Sequence, residues 1–260
     1  MSKTALVTGA TSGIGASFTR LLATKGYDIV LVARNEVRLT ECSQSLKRDF
    51  GVACEIISAD LATTQGLKSV VDRVSNLDNP IAVLINNAGF GINKSFLVSD
   101  AETEEQLLDV LVKAPMHLMH AVLPVMRSRN DGMIINVSSV AAWIAGGTYS
   151  AAKSYLTVLS ESLHTELKGT NVKILALGPG FTRTEFHQRG RMRMNGLPKF
   201  MWLDADRVVA QAWGDAAKGK AISVPGRQYL ALSFIMRYGP RPLVRKMGMN
   251  VRVRPREKKQ

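Results

Sequence analysis

Two cysteines in 260 residues, Cys42 and Cys54, are too few for a disulfide framework or a thiolate zinc site. They point to a reducing compartment. The apolar leader of a secreted chain is also missing, since MSKTALVTGA runs straight into a strand-like segment. No stretch reaches the roughly 18 uninterrupted apolar residues of a membrane span. A cytoplasmic protein is therefore expected. Internal repeats, low-complexity tracts and Pro/Gly/Ser linkers are lacking, which favours one domain. None of the four histidines, His117, His120, His164 and His187, has a carboxylate partner at metal-ligating spacing, so no metal site is expected. Acidic residues are scarce in one region only. Residues 1–182 hold 16 Lys+Arg and 16 Asp+Glu, whereas residues 183–260 hold 18 and 5, so the whole net charge of +13 sits in the last third. With 46% hydrophobic and 21% charged residues the chain reads as globular rather than disordered.

What is present is an alternation. The runs TALVT (4–8), DIVLVA (28–33), ACEIIS (53–58), IAVLIN (81–86), GMIINV (132–137) and NVKILAL (171–177) are nearly continuous in apolar and β-branched residues, as strands covered on both faces are. Helix-length amphipathic stretches separate them. That order implies an α/β fold, a doubly wound parallel sheet of Rossmann-like type with helices on both faces. Residues 1–226 would form the domain built on this sheet. Residues 227–260 would form a basic helical extension and tail of the same domain, with its last ten residues disordered. Pro115 and Pro124 fall in the helical stretch 103–129, and each predicts a kink or break. A last strand is expected at 221–226.

Directly after the first strand comes TGATSGIG (8–15). Glycines at 9, 13 and 15 permit a tight turn and a close approach of backbone to a pyrophosphate, with the next helix aiming its N-terminal amides at the anion. The second strand ends in VAR. Where NAD-binding folds place an acid for the ribose 2′-hydroxyl, this chain has Arg34, with Arg38 four residues on. A guanidinium suits a 2′-phosphate, so NADP is favoured over NAD. The stretch GTYSAAK places Tyr149 and Lys153 one helical turn apart on one face.

Taken together, TGATSGIG, ADL (59–61), NNAG (86–89), NVSS (136–139), YSAAK (149–153) and GPGFTRT (178–184) occur in the order found in the short-chain dehydrogenase/reductase family, which the chain resembles over residues 4–184. The resemblance implies a catalytic set of Ser139, Tyr149 and Lys153. Tyr149 would pass a proton to the substrate oxygen, and Lys153 would lower the phenol pKa and hold the nicotinamide ribose. Ser139 would polarise the carbonyl, with Ser138 as the alternative. It further implies a cofactor site built from Gly9, Thr11, Ser12, Gly13, Ile14, Gly15, Arg34, Asp60, Leu61, Asn87, Ala88, Gly89, Tyr149, Lys153, Pro179, Gly180, Thr182 and Thr184. For Asp60 a second role is open, as an N-cap of the following helix. Many members carry an asparagine in the long helix that serves a proton-relay water; this chain has Leu111 there.

The segment RTEFHQRGRMRMNGLPKFMW (183–202) reads as a methionine- and aromatic-rich lid over an apolar substrate, with Arg189, Arg191 and Arg193 interleaved. Two readings stay open for the basic C-terminal segment: peripheral contact with an anionic membrane, or a helix packed over the pocket or a dimer partner. Nucleic-acid binding has the charge but no recognisable module. The implied function is an NADP(H)-dependent oxidoreductase that moves a hydride to or from an apolar carbonyl, such as a 3-oxoacyl thioester or a steroid-like ketone, in a homodimer or homotetramer. The alternative is a nucleotide-sensing or scaffold protein with little turnover.

Overall fold

The computed structural model describes residues 3–186 and 198–251. Six of its seven strands coincide with the apolar runs to within one residue: β1 (Thr4–Thr8), β2 (Asp28–Ala33), β3 (Cys54–Ser58), β4 (Ile81–Asn86), β5 (Gly132–Val137) and β6 (Val172–Leu177). The seventh, β7, is only Ile222–Ser223, shorter than expected. All pair in parallel in the order β3-β2-β1-β4-β5-β6-β7.

Each side of the sheet is covered. Helices α1 (Gly13–Thr24) and α2 (Glu36–Phe50) share one core with Phe18, Leu22, Leu39, Val7 and Leu31, joined by Val208 and Ala212 of α7 (Ala205–Ala217). On the other side α3 (Thr64–Val74), α5 (Ala114–Arg129) and α6 (Gly147–Glu166) bury Val70, Leu118, Val122, Met126 and Leu156 against Leu6, Leu84 and Ile134. Helices α8 (Arg227–Tyr238) and α9 (Arg241–Val251) follow β7. The strand order reverses between β1 and β4, and the C-terminal ends of those two strands open a crevice, the position where such sheets bind ligands.

The stretch 103–129 breaks as its prolines suggest, but at one place only. Helix α4 (Ala101–Leu108) passes into a π-helical turn, Asp109–Lys113, before α5 begins with Pro115 in its first turn. Pro115 has no N–H to give the Leu111 carbonyl four residues back, so the α pattern cannot run through. Pro124 sits inside an unbroken α5. The carbonyl it leaves without that donor belongs to His120, an exposed position where water can serve. By length and composition the run 101–129 could cross a bilayer, yet Leu107, Leu118, Val122 and Met126 are buried within the protein.

Candidate active site

The turn after β1 is shaped by what its glycines lack. Gly9 has φ +65°, and a Cβ there would stand 2.8 Å from Asn87 Nδ2 and 3.1 Å from the Ala88 Cα. At Gly15 a Cβ would run into the Gly9 carbonyl. The turn and the NNAG loop are thus pressed backbone to backbone. Thr8 staples them: its hydroxyl accepts from the amides of Asn87 (2.9 Å) and Ala88 (3.0 Å), while Asn87 Nδ2 donates to the Thr8 carbonyl (2.9 Å). Asn87 therefore acts through the crevice wall. Thr8 was not singled out by the sequence, although a hydroxyl closing a strand beside a Gly-rich turn is a readable signal.

Ser12 precedes α1 in extended geometry, and its side chain makes no capping bond. Thr11, Ser12, Gly13 and Ile14 lie at that helix start, whose first amides face outward along the axis. These features fit a dinucleotide: a turn with no Cβ to obstruct a pyrophosphate, a twelve-residue helix pointing at it, and an uncommitted hydroxyl.

At the end of β2, Arg34 is exposed (74% of its side chain), with Asp60 Oδ2 as the nearest carboxylate at 3.8 Å. Asn35 caps α2 by accepting from the Arg38 amide (2.9 Å). Arg38 is held by Glu185 in a bidentate pair. Asp60 is not the N-cap of α3. Thr63 is, accepting from Gly66 N (3.1 Å), and Asp60 instead accepts from Ala62 N (3.0 Å), closing its own turn. Leu61 is buried in the core beside it.

The catalytic candidates converge from β5 and α6. Ser139, two residues past β5, is extended and caps a short 3₁₀ turn, Val140–Trp143. Its hydroxyl accepts from Ala141 N (3.1 Å) and stands by the Tyr149 phenol, where it favours the phenolate. Ser138 faces the other way. It is buried, donates to the Lys153 carbonyl (2.8 Å) and meets Thr157 Oγ1 (2.7 Å), so it ties β5 to α6 and leaves Ser139 at the site. Lys153, only 4% exposed, donates from Nζ to the Val137 carbonyl (2.7 Å), and that nitrogen lies 5.7 Å from the Tyr149 ring centre. It also stands 3.9 Å from where a Cβ on Gly89 would be, so it reaches the NNAG loop.

The expected acidification of Tyr149 is not what the protein alone produces. Burial pushes the phenol up to about 12, with the nearby Ser139 hydroxyl opposing. Burial likewise pulls Lys153 down to about 8. Both groups lose solvation, and each therefore favours its neutral form.

Beneath the site runs a buried polar chain. Asn86 Nδ2 donates to Asn136 Oδ1 (2.8 Å), Asn136 Nδ2 to Ser160 Oγ (2.8 Å), and Ser160 Oγ to the Leu156 carbonyl (2.6 Å). Asn86 Oδ1 is buried with no hydrogen-bond partner among the described residues. Asn86 lines a cavity of about 10 Å³, shared with Lys153, Leu111 and Pro115. That is about the room one water needs. Leu111 fills the relay-asparagine position with a side chain 1% exposed, packed on Gly89.

The segment after β6 forms the far wall. Thr182 is buried, donating to the Gly180 carbonyl (3.0 Å), and Thr184 lies against Gly13. A residue not anticipated holds this wall. The Tyr229 hydroxyl on α8 accepts from Phe181 N (3.1 Å) and donates to the Met201 carbonyl (2.7 Å), and its ring occupies the space a Gly180 side chain would need. Pro179 accepts from Val140 N (3.1 Å), joining this wall to the Ser139 turn. Phe186 lies 6.0 Å from Tyr149, and Phe90 and Ile92 pack in the same apolar cluster as Tyr149. Of the expected lid, Arg189, Arg191, Arg193, Met192, Met194 and Leu197, like His187 and the last nine residues, lie outside the described residues.

The model of the short chain dehydrogenase family matches residues 3–194. A ketoacyl reductase of Nostoc sp. is 32% identical over 226 residues, which is 85% of this chain and 77% of that protein. A short-chain dehydrogenase of Sphingobium yanoikuyae, solved in complex with NADPH, superposes with a TM-score of 0.82 at 30% identity, covering 99% of each chain. The alcohol dehydrogenase of Comamonas testosteroni described as specific for bulky-bulky ketones gives 0.78 at 27% identity, covering 99% and 97%.

Proposed function

This chain belongs to the short-chain dehydrogenase family of oxidoreductases, and we propose that within it the protein is an NADP(H)-dependent reductase of apolar carbonyl compounds. The observation that carries the reading is the convergence of Ser139, Tyr149 and the buried Lys153 on one end of the crevice. Arg34 at the end of β2 favours a 2′-phosphate. Phe90, Ile92 and Phe186 around Tyr149 favour an apolar substrate.

Bound nicotinamide supplies or accepts the hydride. The turn 9–15 and the α1 start would hold the pyrophosphate, Arg34 the adenosine end, and Lys153 the ribose beside Gly89. Ser139 donates to the substrate carbonyl oxygen and fixes it next to the phenol. Tyr149, neutral through the physiological range, gives its proton to that oxygen as the carbon is reduced, and takes it back in the reverse direction. Lys153 turns its ammonium toward the phenolate side, stabilising the charge that develops there. The relatives add support for the substrate class: one is named a ketoacyl reductase and another a dehydrogenase of bulky ketones.

A panel of medium-chain 3-oxoacyl thioesters and bulky aryl or steroid-like ketones, assayed by stopped-flow oxidation of NADPH, tests the reading. Turnover with at least one class, and faster with NADPH than with NADH, is expected. Tight NADPH binding without turnover on any member would refute it.

A further inference from the structure

Three successive residues after β6 touch three parts of the crevice. Thr184 packs on Gly13 of the phosphate turn, Glu185 pairs with Arg38 on α2, and Phe186 lies beside Tyr149. Glu185 therefore belongs to the segment that borders the crevice, between a contact to the phosphate turn and one to Tyr149. The pair is bidentate, Nη1 to Oε2 at 3.0 Å and Nη2 to Oε1 at 2.8 Å. This is the geometry in which a guanidinium also grips a phosphate. The same pair raises the Arg38 pKa. Both side chains are part-exposed, so the pair is open to exchange rather than locked in the core. Arg34, the other guanidinium at this end of the sheet, has only a loose carboxylate neighbour.

We propose that Glu185 is an internal competitor for the cofactor's 2′-phosphate: it holds Arg38 in the free protein and surrenders it when an adenosine 2′-phosphate docks. The chemistry is ligand exchange on one guanidinium, carboxylate for phosphate, with no covalent step. Glu185 then tunes how strongly the crevice distinguishes phosphorylated from unphosphorylated dinucleotide. It opposes binding of the former through the pair that must break, a cost that the latter, with no 2′-phosphate, does not meet. Removing its charge should therefore strengthen binding, the opposite of what loss of a structural ion pair does. The proposal rests on the NADP(H) reading above.

The test is calorimetric titration of the full chain with 2′,5′-ADP and with 5′-ADP, which differ in the group Arg38 would grip. Wild type should prefer 2′,5′-ADP. Glu185→Gln should tighten 2′,5′-ADP about fivefold, the scale of a part-exposed ion pair, and change 5′-ADP less than twofold. Arg38→Ala should weaken 2′,5′-ADP selectively, and adding Glu185→Gln to it should bring no further gain, since no Arg38 guanidinium is left to withhold. If wild type fails to distinguish the two nucleotides, the NADP(H) reading fails and the competitor role with it. If wild type prefers 2′,5′-ADP but Glu185→Gln binds it no more tightly, or tightens both nucleotides alike, the NADP(H) reading stands and the competitor role is overturned.

Discussion

Single side chains at this site are governed by lost solvation. Lys153 is the clearest case, because burial lowers its folded pKa to about 8 from 10.5. The unfolded chain binds that proton more tightly. The cost to the fold is therefore complete below about pH 8 and fades as pH rises toward 10.5. Lys153→Met, which fits the same volume without a charge, should raise the melting temperature relative to wild type more at pH 7 than at pH 10. Thermal unfolding at the two pH values measures this, and an equal difference at both would refute the assignment. The same variant should lose activity, a stability–function trade-off located in one residue. At the adenosine end, Arg34→Ala should weaken NADPH roughly tenfold, the worth of a charge-assisted contact, and NADH far less. Fluorescence titration with both cofactors checks it, and equal losses would remove Arg34 from the 2′-phosphate site.

Elements were legible where their physics is local. Continuous apolar runs gave β1 to β6 because a strand covered on both faces has no polar side to show. The spacing of Tyr149 and Lys153 survived because α6 is regular. Contacts between distant segments were illegible. Thr63 rather than Asp60 caps α3, and both are plausible caps three residues apart. The orientation of Ser138 away from the site follows from its bonds to Lys153 and Thr157 on α6, which sequence order does not reveal. The π turn at Asp109–Lys113 is intermediate: Pro115 signalled a break, but not that Leu111 would be carried onto Gly89. At this position the protein packs a hydrocarbon against Gly89. Leu111→Ala should cost about 2–5 kcal/mol of stability, as large-to-small core changes do, while kcat changes less than threefold, since the polar side chains at the cavity are Thr8, Asn86 and Lys153. Urea unfolding and steady-state kinetics separate the two effects. A collapse of kcat with little stability loss would place Leu111 in the relay itself.

The whole molecule ties its basic last third to the site. Charge asymmetry marked a basic extension of the same domain, open either to membrane contact or to packing over the pocket, and Tyr229 of α8 is 1% exposed and holds the wall formed by Gly180 and Phe181. No local pattern announces this, because Gly180 and Tyr229 are distant in sequence and each looks ordinary alone. Tyr229→Phe keeps the ring but removes both bonds of its hydroxyl, and should cost about 1–3 kcal/mol through the unpaired Phe181 amide and Met201 carbonyl. Differential scanning calorimetry with and without NADPH should find the loss in both states, with weakened cofactor binding; an unchanged melting temperature would mean the wall is held otherwise. The central claim, that Ser139, Tyr149 and Lys153 form a proton-transfer site at the end of a dinucleotide crevice, is tested most directly by single-turnover NADPH oxidation with Tyr149→Phe. The account predicts NADPH affinity within about twofold of wild type and a hydride-transfer rate reduced at least ~100-fold, the scale of lost general-acid catalysis. Turnover retained at the wild-type rate would contradict it.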